Sequence, residues 1–430
     1  MMRSKMNDVR FDRKGSEPHA RTRVRWWRGR FAGQGWQVER PTSWCTVVTI
    51  ALMAWCSPWT HASPSAPRVP AYKTTELLLD AEVRDGQTRY PAFPALLPLG
   101  QNRVLVTYKD GRGHANDPGA EIGTFELDLV TGMRRQGPRM TPPEPLLFQC
   151  AEPVRLADGR VALFIDTQRI GPEPRHYRAP MRWAWSSDGG KTFSAPAIFP
   201  EVDGVGYGYP QEGLTVGNTT YIMIMSFGYL AGGRWSMDIL RTDDAGANWT
   251  RVRNLAQELG LPGFAEGTLL QQGDGFLVAS RSYDQRTRLH ELDREFKLRR
   301  QVELTGNSPW INSYVGRPRL FRYEGQTYLI GRNWTQPHAI SAGRTADNPL
   351  GFPRAQQLCL FRLDPATLLP EACWILDNAE GAPVSDGYYA VVHTTGPATE
   401  RRLHVLTYKG VGGVAPQLLR LEYRWSDFAE

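Results

Sequence analysis

Along this chain the apolar and polar positions fall into one pattern that returns six times: an apolar strand, a tight turn carrying Gly or Asn, and a second alternating strand. The copies begin at Pro94 (PALLPLGQNRVLVTYKD), Glu152 (EPVRLADGRVALFIDTQ), Glu212 (EGLTVGNTTYIMIMSFG), Glu266 (EGTLLQQGDGFLVASRS), Gly316 (GRPRLFRYEGQTYLIGRN) and Gly387 (GYYAVVHTTGPATERRLHVLTYKG). A spacing of about 50–70 residues leaves room for a second hairpin after each copy. Segments 124–133, 290–298 and 360–369 supply that hairpin in the first, fourth and fifth units, each placing Leu-Asp at the end of a strand before a turn. In the second and third units it reads Ser186-Ser187-Asp188-Gly189-Gly190-Lys191-Thr192-Phe193 and Thr242-Asp243-Asp244-Ala245-Gly246-Ala247-Asn248-Trp249. In such turns the Asp accepts local N–H groups, the Gly takes a positive φ and the aromatic plugs the gap between strands. The pattern predicts an all-β fold, a six-bladed β-propeller with four antiparallel strands per blade.

Length and composition agree: 430 residues exceed a single two-layer core, and 14 Trp, 42 Gly and 32 Pro suit a turn-rich β protein. The formal charge of +7 sits entirely in residues 1–62, where eleven Lys/Arg face four acids. The rest is balanced, so no global field holds the chain to a polyanion, and nucleic acid is dropped as a partner. The basic stretch leads into the apolar run Trp44–Cys56 and small residues up to Ala62. That is the order of a secretory signal, too short to span a bilayer comfortably. Three segments are expected: 1–62, a basic leader plus signal that is removed or anchors; 63–80, a Pro-rich linker or first strand; and 81–430, one propeller. The mature protein is thus expected to be secreted or periplasmic, with no stable membrane span. Cys359 and Cys373 flank Asp364-Pro365 and could bridge or stay as thiols. No spacing suggests a metal, nothing suggests a cofactor, and the oligomeric state is not encoded in any pattern.

In a propeller, the start of each innermost strand and the loop after each second strand converge on one mouth of the axis. The innermost starts bring Glu152, Glu212, Glu266, Arg317, Asp386 and Tyr388; the loops bring Arg112, His114, Asp117, Asp166, Arg169, Tyr229, Arg281, Arg332 and Trp334. A structural opening would carry small polar residues. This one is heavily charged.

Both turns above fit S/T-x-D-x-G-x-x-W/F, the Asp-box, and with the six repeats they make residues 80–428 resemble the sialidases, exo-acting enzymes that release sialic acids with retention. The resemblance implies three arginines on the sugar carboxylate, a Tyr nucleophile paired with a Glu, and an Asp acid/base in a loop. Glu266 and Arg281 resemble the family's E-x-T…G-x-L…R arrangement, with Glu266 as base and Arg281 as carboxylate ligand. Tyr388, at the start of the last innermost strand, is the implied nucleophile, and Tyr389 should face the other way by strand alternation. Asp117, in KDGRGHANDPG between Arg112 and His114, is the implied acid/base, with an ordinary Asn-Asp-Pro turn as the other reading. Arg354 is the implied third arginine, with Arg332 and Arg317 competing for the role, and Glu152, Glu212, Arg112 and His114 complete the expected binding set. One departure stands out: where sialidases begin with Arg-Ile-Pro, this chain has Ala92-Phe93-Pro94. The first arginine is absent, and Arg112 or Arg89 is the nearest substitute.

The expectation is a retaining exo-glycosidase acting on sialic acid or a related acidic sugar within a glycan. Two alternatives stay open: a lyase or other glycosidase on a different acidic glycan, using His114 and Tyr388, or a carbohydrate-binding propeller without catalysis.

Overall fold

The computed structural model describes residues 66–84, 86–170, 176–226, 236–261, 263–334, 356–378 and 384–428. The expected leader lies outside them. Six antiparallel sheets carry the fold. Blade 1 comprises Tyr90–Pro98, Arg103–Gly111, Glu121–Asp128 and Arg134–Gln136, and blade 2 Leu146–Arg155, Val161–Ile170, Arg182–Ser186 and Ala197–Ile198. Blade 2 also pairs the short strand His176–Arg178 with its second strand. Blades 3, 4 and 5 start at Gly208–Val216, Phe264–Gln272 and Gly316–Tyr323, each followed by three strands in chain order. Blade 6 differs: its innermost strand is split into Val384–Gly387 and Val391–Thr395, followed by Arg402–Val411 and Gln417–Arg424, and its outermost strand is Lys73–Leu79 from the start of the propeller. That pairing closes the ring and places 73–79 inside the propeller rather than in a linker.

The second strand of each blade is covered on both faces by neighbouring blades, which is why Val104-Leu105-Val106 and Ile222-Met223-Ile224-Met225 read as continuous apolar runs and are fully buried. Each such side chain contributes about 1.5–3 kcal/mol of transfer free energy. The two S/T-x-D-x-G turns have one geometry. Asp188 Oδ1 accepts from Ser186 Oγ (2.7 Å) and Thr192 N (2.9 Å), and Asp244 Oδ1 from Thr242 Oγ1 (2.7 Å) and Asn248 N (2.8 Å). Gly190 and Gly246 sit at φ +91° and +94°. The Asn248 amide and side chain, then Thr242, hold the Asp244 carboxyl down at about 2. Trp249 plugs its blade against Phe199 (5.5 Å) and Phe164 (5.7 Å). Cys359 and Cys373 are buried thiols with no disulfide between them. No helix among the described residues is long and apolar enough to cross a membrane.

One irregularity recurs in every blade. Each innermost strand slips register near its mouth end: at Ala92/Ala95, Phe148/Cys150, Pro210/Glu212, Phe264/Glu266, Gly316/Arg319 and Val384/Asp386. Phe93, Tyr209, Arg317 and Tyr388 take positive φ at or beside these slips. A bulge bends a strand and re-aims its side chains, and six of them crowd polar and aromatic groups into one opening.

Candidate active site

Glu266 and Arg281 are cross-strand partners in blade 4, so their side chains share a face. Arg281 Nη1 lies 2.7 Å from Glu266 Oε2, and the same oxygen accepts from Arg317 N at 2.8 Å. Oε1 accepts from the hydroxyl of Tyr389, which is 3.2 Å from the Tyr209 hydroxyl. Three guanidiniums surround this pair. Arg281 lies 4.0 Å from the Tyr314 ring, Arg317 5.6 Å and Arg332 6.0 Å from the Tyr389 ring, and Arg332 donates to Gly387 O at 3.1 Å. Burial pushes the Glu266 carboxyl up, but Arg281 and Arg332 outweigh it and hold it well below the usual carboxylate range. Burial, then Glu266, pushes the Tyr389 phenol well above its ordinary value. A neutral hydroxyl therefore faces an ionised carboxylate.

Tyr389, not Tyr388, makes this contact. Tyr388 is wholly buried among Trp374, Leu403 and Tyr423, and its hydroxyl donates to Asp377 Oδ2 (2.8 Å) and Asn378 O (3.3 Å). The cause is the break in the blade 6 inner strand: Tyr388 at φ +67° falls between its two halves, so alternation counted from Gly387 comes out one residue wrong.

Asp117 also departs from expectation. Its Oδ2 accepts from Arg112 N (2.7 Å) and Gly113 N (3.1 Å) and pairs with Lys109 Nζ (3.1 Å). The carboxylate caps its own loop, as in the turn reading. With Arg112 and Arg89 it lines a separate pocket of about 230 Å³ on blade 1. Arg89 is held there by Asp110 (2.7 Å), so neither of the expected substitute arginines opens onto Tyr389.

The pocket that does hold Tyr389 measures about 140 Å³ and is lined by Phe93, His114, Ala115, Gln149, Cys150, Gln168, Arg178, Tyr209 and Tyr389. His114 Nδ1 lies 2.7 Å from Asp386 Oδ2, which also accepts from Tyr90, while Tyr408 donates to Oδ1 at 3.1 Å. Arg178 pairs with Asp166 and lies 4.4 Å over the Tyr209 ring. Gln168 Nε2 donates to Asp166 Oδ2 at 2.8 Å. A carboxylate can only accept, which fixes the amide orientation and leaves Gln168 Oε1 buried with no donor among the described residues. At the position of the missing first arginine, Ala92 is fully buried and Phe93 packs 5.1 Å from both His114 and Tyr389. An apolar wall replaces a cation.

Glu152 and Glu212 belong to the axis rather than the pocket. Arg319 binds Glu152 Oε2 (2.7 Å) and also Glu212, and Arg317 Nη2 lies 3.6 Å from Glu152. Burial raises the Glu152 carboxyl although Arg319 opposes it. Trp334 packs on Tyr314 at 5.4 Å, and Arg169 is exposed. Arg354 and Tyr229 lie outside the described residues. Sequence reasoning missed Tyr209, Phe93, Gln168 and Arg178 as pocket residues; the aromatic ones carried a signal, since each sits just ahead of a proline at an innermost strand start.

No family model matches the chain, and no curated protein does. Solved structures do. The chain is similar to a protein of unknown function from Dyadobacter fermentans (TM-score 0.58, 12% identity, 81% of this chain and 99% of that one). It is similar to a variant of the NanB sialidase from Streptococcus pneumoniae (TM-score 0.58, 10% identity, 82% and 71%) and to the Trypanosoma rangeli sialidase (TM-score 0.54, 12% identity, 83% and 60%). At these identities the likeness is one of fold: the chain has the six-bladed propeller that these sialidases have.

Proposed function

We propose that this chain is a retaining glycosidase of sialidase type, acting on sialic acid or a related acidic sugar. One observation carries the reading: the Tyr389 hydroxyl donates to a buried, ionised Glu266 amid Arg281, Arg317 and Arg332 at the mouth of the propeller. A neutral phenol attacks a cationic anomeric centre without the repulsion that a carboxylate nucleophile meets beside an anionic sugar. As the Tyr389 oxygen bonds to the anomeric carbon, its proton passes to Glu266, and water later displaces the tyrosyl group with the proton returning. The guanidiniums supply planar forks for a carboxylate, and Gln168 adds a polar side chain to the pocket wall. The likeness to sialidase structures and the two turns resembling Asp-boxes support the same class. The basic leader and its apolar run support export. Ala92 stands where the first arginine is missing, and Arg178 of blade 2 lines the pocket, so the sugar carboxylate is held by Arg178 together with the blade 4 and 5 guanidiniums and not by a cation from blade 1.

The test is hydrolysis of a fluorogenic sialoside by the purified chain, beside a panel of uronic-acid glycans followed by reducing-sugar release and by the ultraviolet absorbance of an unsaturated product. Sialoside cleavage that falls at least about a hundredfold in Glu266→Gln, with folding intact by thermal melt, is the expected result. Unsaturated product alone would assign the pocket to elimination. Binding without turnover would leave a lectin-like propeller.

A further inference from the structure

We propose that His114, oriented by Asp386, is the proton-transfer residue of this pocket, the role for which sequence pointed to Asp117. The proposal rests on the glycosidase reading and supplies the group that the departing oxygen requires. Asp117 and His114 share one loop, but only His114 lines the pocket with Tyr389. The Asp117 carboxylate is spent on two backbone N–H groups and Lys109. The His114 ring is fixed from two sides. Its Nδ1 meets Asp386 at 2.7 Å, and its edge packs on Phe93 at 5.1 Å with an interplanar angle of 79°. Asp386 is itself 2% exposed and clasped by the Tyr90 and Tyr408 hydroxyls. A buried carboxylate on Nδ1 sets the tautomer, orients the ring and stabilises the imidazolium. Of the titratable side chains between 110 and 117, His114 is the one that lines the pocket beside Tyr389, so its ring is the group placed to exchange a proton with a substrate there.

Phe93 also lies 5.1 Å from Tyr389, so His114 and Tyr389 flank the same aromatic ring and both line the pocket. In the first half of the reaction the imidazolium gives its proton to the glycosidic oxygen as that C–O bond breaks, while Tyr389 bonds to the anomeric carbon and passes its proton to Glu266. In the second half neutral His114 takes a proton from water, the water oxygen bonds to the anomeric carbon, and Tyr389 recovers its proton. Asp386 faces the ring at Nδ1, Lys109 Nζ donates to the His114 carbonyl at 3.1 Å, and Arg178 lines the same pocket.

The experiment compares the umbelliferyl and methyl glycosides of N-acetylneuraminic acid, the first with a leaving group that needs little protonation and the second with one that needs it. In His114→Ala the methyl glycoside should lose 10²–10⁴-fold in kcat, while the umbelliferyl glycoside loses less than about tenfold, and added azide should restore turnover as the glycosyl azide. Asp386→Asn should show the same leaving-group split to a smaller degree. Asp117→Ala should leave the ratio of the two rates unchanged even if both fall with the loop's stability. Equal losses on both glycosides in a folded His114→Ala chain, or the split appearing in Asp117→Ala instead, would overturn the proposal. A wild-type chain that cleaves neither glycoside would remove the glycosidase reading and the proposal with it, an outcome distinct from an active enzyme indifferent to His114.

Discussion

Two adjacent tyrosines offer a sharp comparison, because one methodical change, removal of the hydroxyl, should have opposite effects at the two. In Tyr388→Phe the lost groups are the bonds to Asp377 Oδ2 (2.8 Å) and Asn378 O (3.3 Å). Asp377 keeps Lys409 at 2.7 Å and Lys73 at 2.5 Å, so it is not stranded. A hydrogen bond to a charged group is worth about 1.5–3 kcal/mol. The expected cost is about 2 kcal/mol, or roughly 3 °C in Tm for a propeller of this length at about 2 cal/mol/K per residue, with turnover unchanged. In Tyr389→Phe, Glu266 keeps Arg281 and the Arg317 amide, and the stability loss should be about 1 kcal/mol. Turnover should fall at least about a thousandfold, equivalent to about 4 kcal/mol of barrier. Thermal melts and initial rates on the fluorogenic sialoside read both quantities on the same samples. A Tyr388→Phe chain that keeps its Tm and loses its turnover would refute the reasoning, as would a fully active Tyr389→Phe chain.

Stability should fall on acidification because His290 is buried neutral, with Nε2 2.8 Å from Ser280 Oγ, and burial pulls its pKa down to about 3. Below about pH 6.5 the unfolded chain binds a proton that the folded one refuses, so this stability is present above that pH and drains toward pH 3, about 2 kcal/mol of it between pH 7 and 5. Urea titrations of wild type and His290→Leu should differ in pH slope by that amount; parallel slopes would count against it. Among glycines, Gly159→Ala (φ +86°, open space) should cost about 1–2 kcal/mol of backbone strain, whereas Gly190→Ala (φ +91°, Cβ 2.8 Å from Leu105 Cδ2) should cost clearly more. Equal Tm shifts would remove the packing argument.

The architecture was legible because it repeats: apolar runs and Gly turns recur with strand periodicity, and six copies leave no other closed arrangement. Glu266 and Arg281 were legible for the same reason, since a hairpin with a fixed turn sets which residues face each other. Tyr388 was misread because alternation was counted through a residue at positive φ, and nothing in GYYAVV marks an aromatic residue as taking that conformation. That Asp117 caps its own loop was not legible, because the need of the Arg112 and Gly113 amides for an acceptor is visible only once the backbone of 111–113 is placed. Asp386 was among the innermost strand starts, yet its partner His114 lies 272 positions away, beyond any local pattern. Gln168 and Arg178 reach the pocket from a second strand and its small side strand, which the repeat does not encode.

Ring closure has a consequence for the order of folding. Lys73–Leu79 pairs with Gln417–Arg424 across about 350 positions, a loop whose closure entropy exceeds that of a hairpin turn by about 4 kcal/mol. The individual blades can form from neighbours in the chain, but Phe93 and His114 on blade 1 meet Tyr389 and Asp386 on blade 6 only when the circle shuts. The pocket is therefore assembled at the seam. The proposed activity would arrive last, after strand Gln417–Arg424 has found Lys73–Leu79, and its appearance during refolding would time that single event.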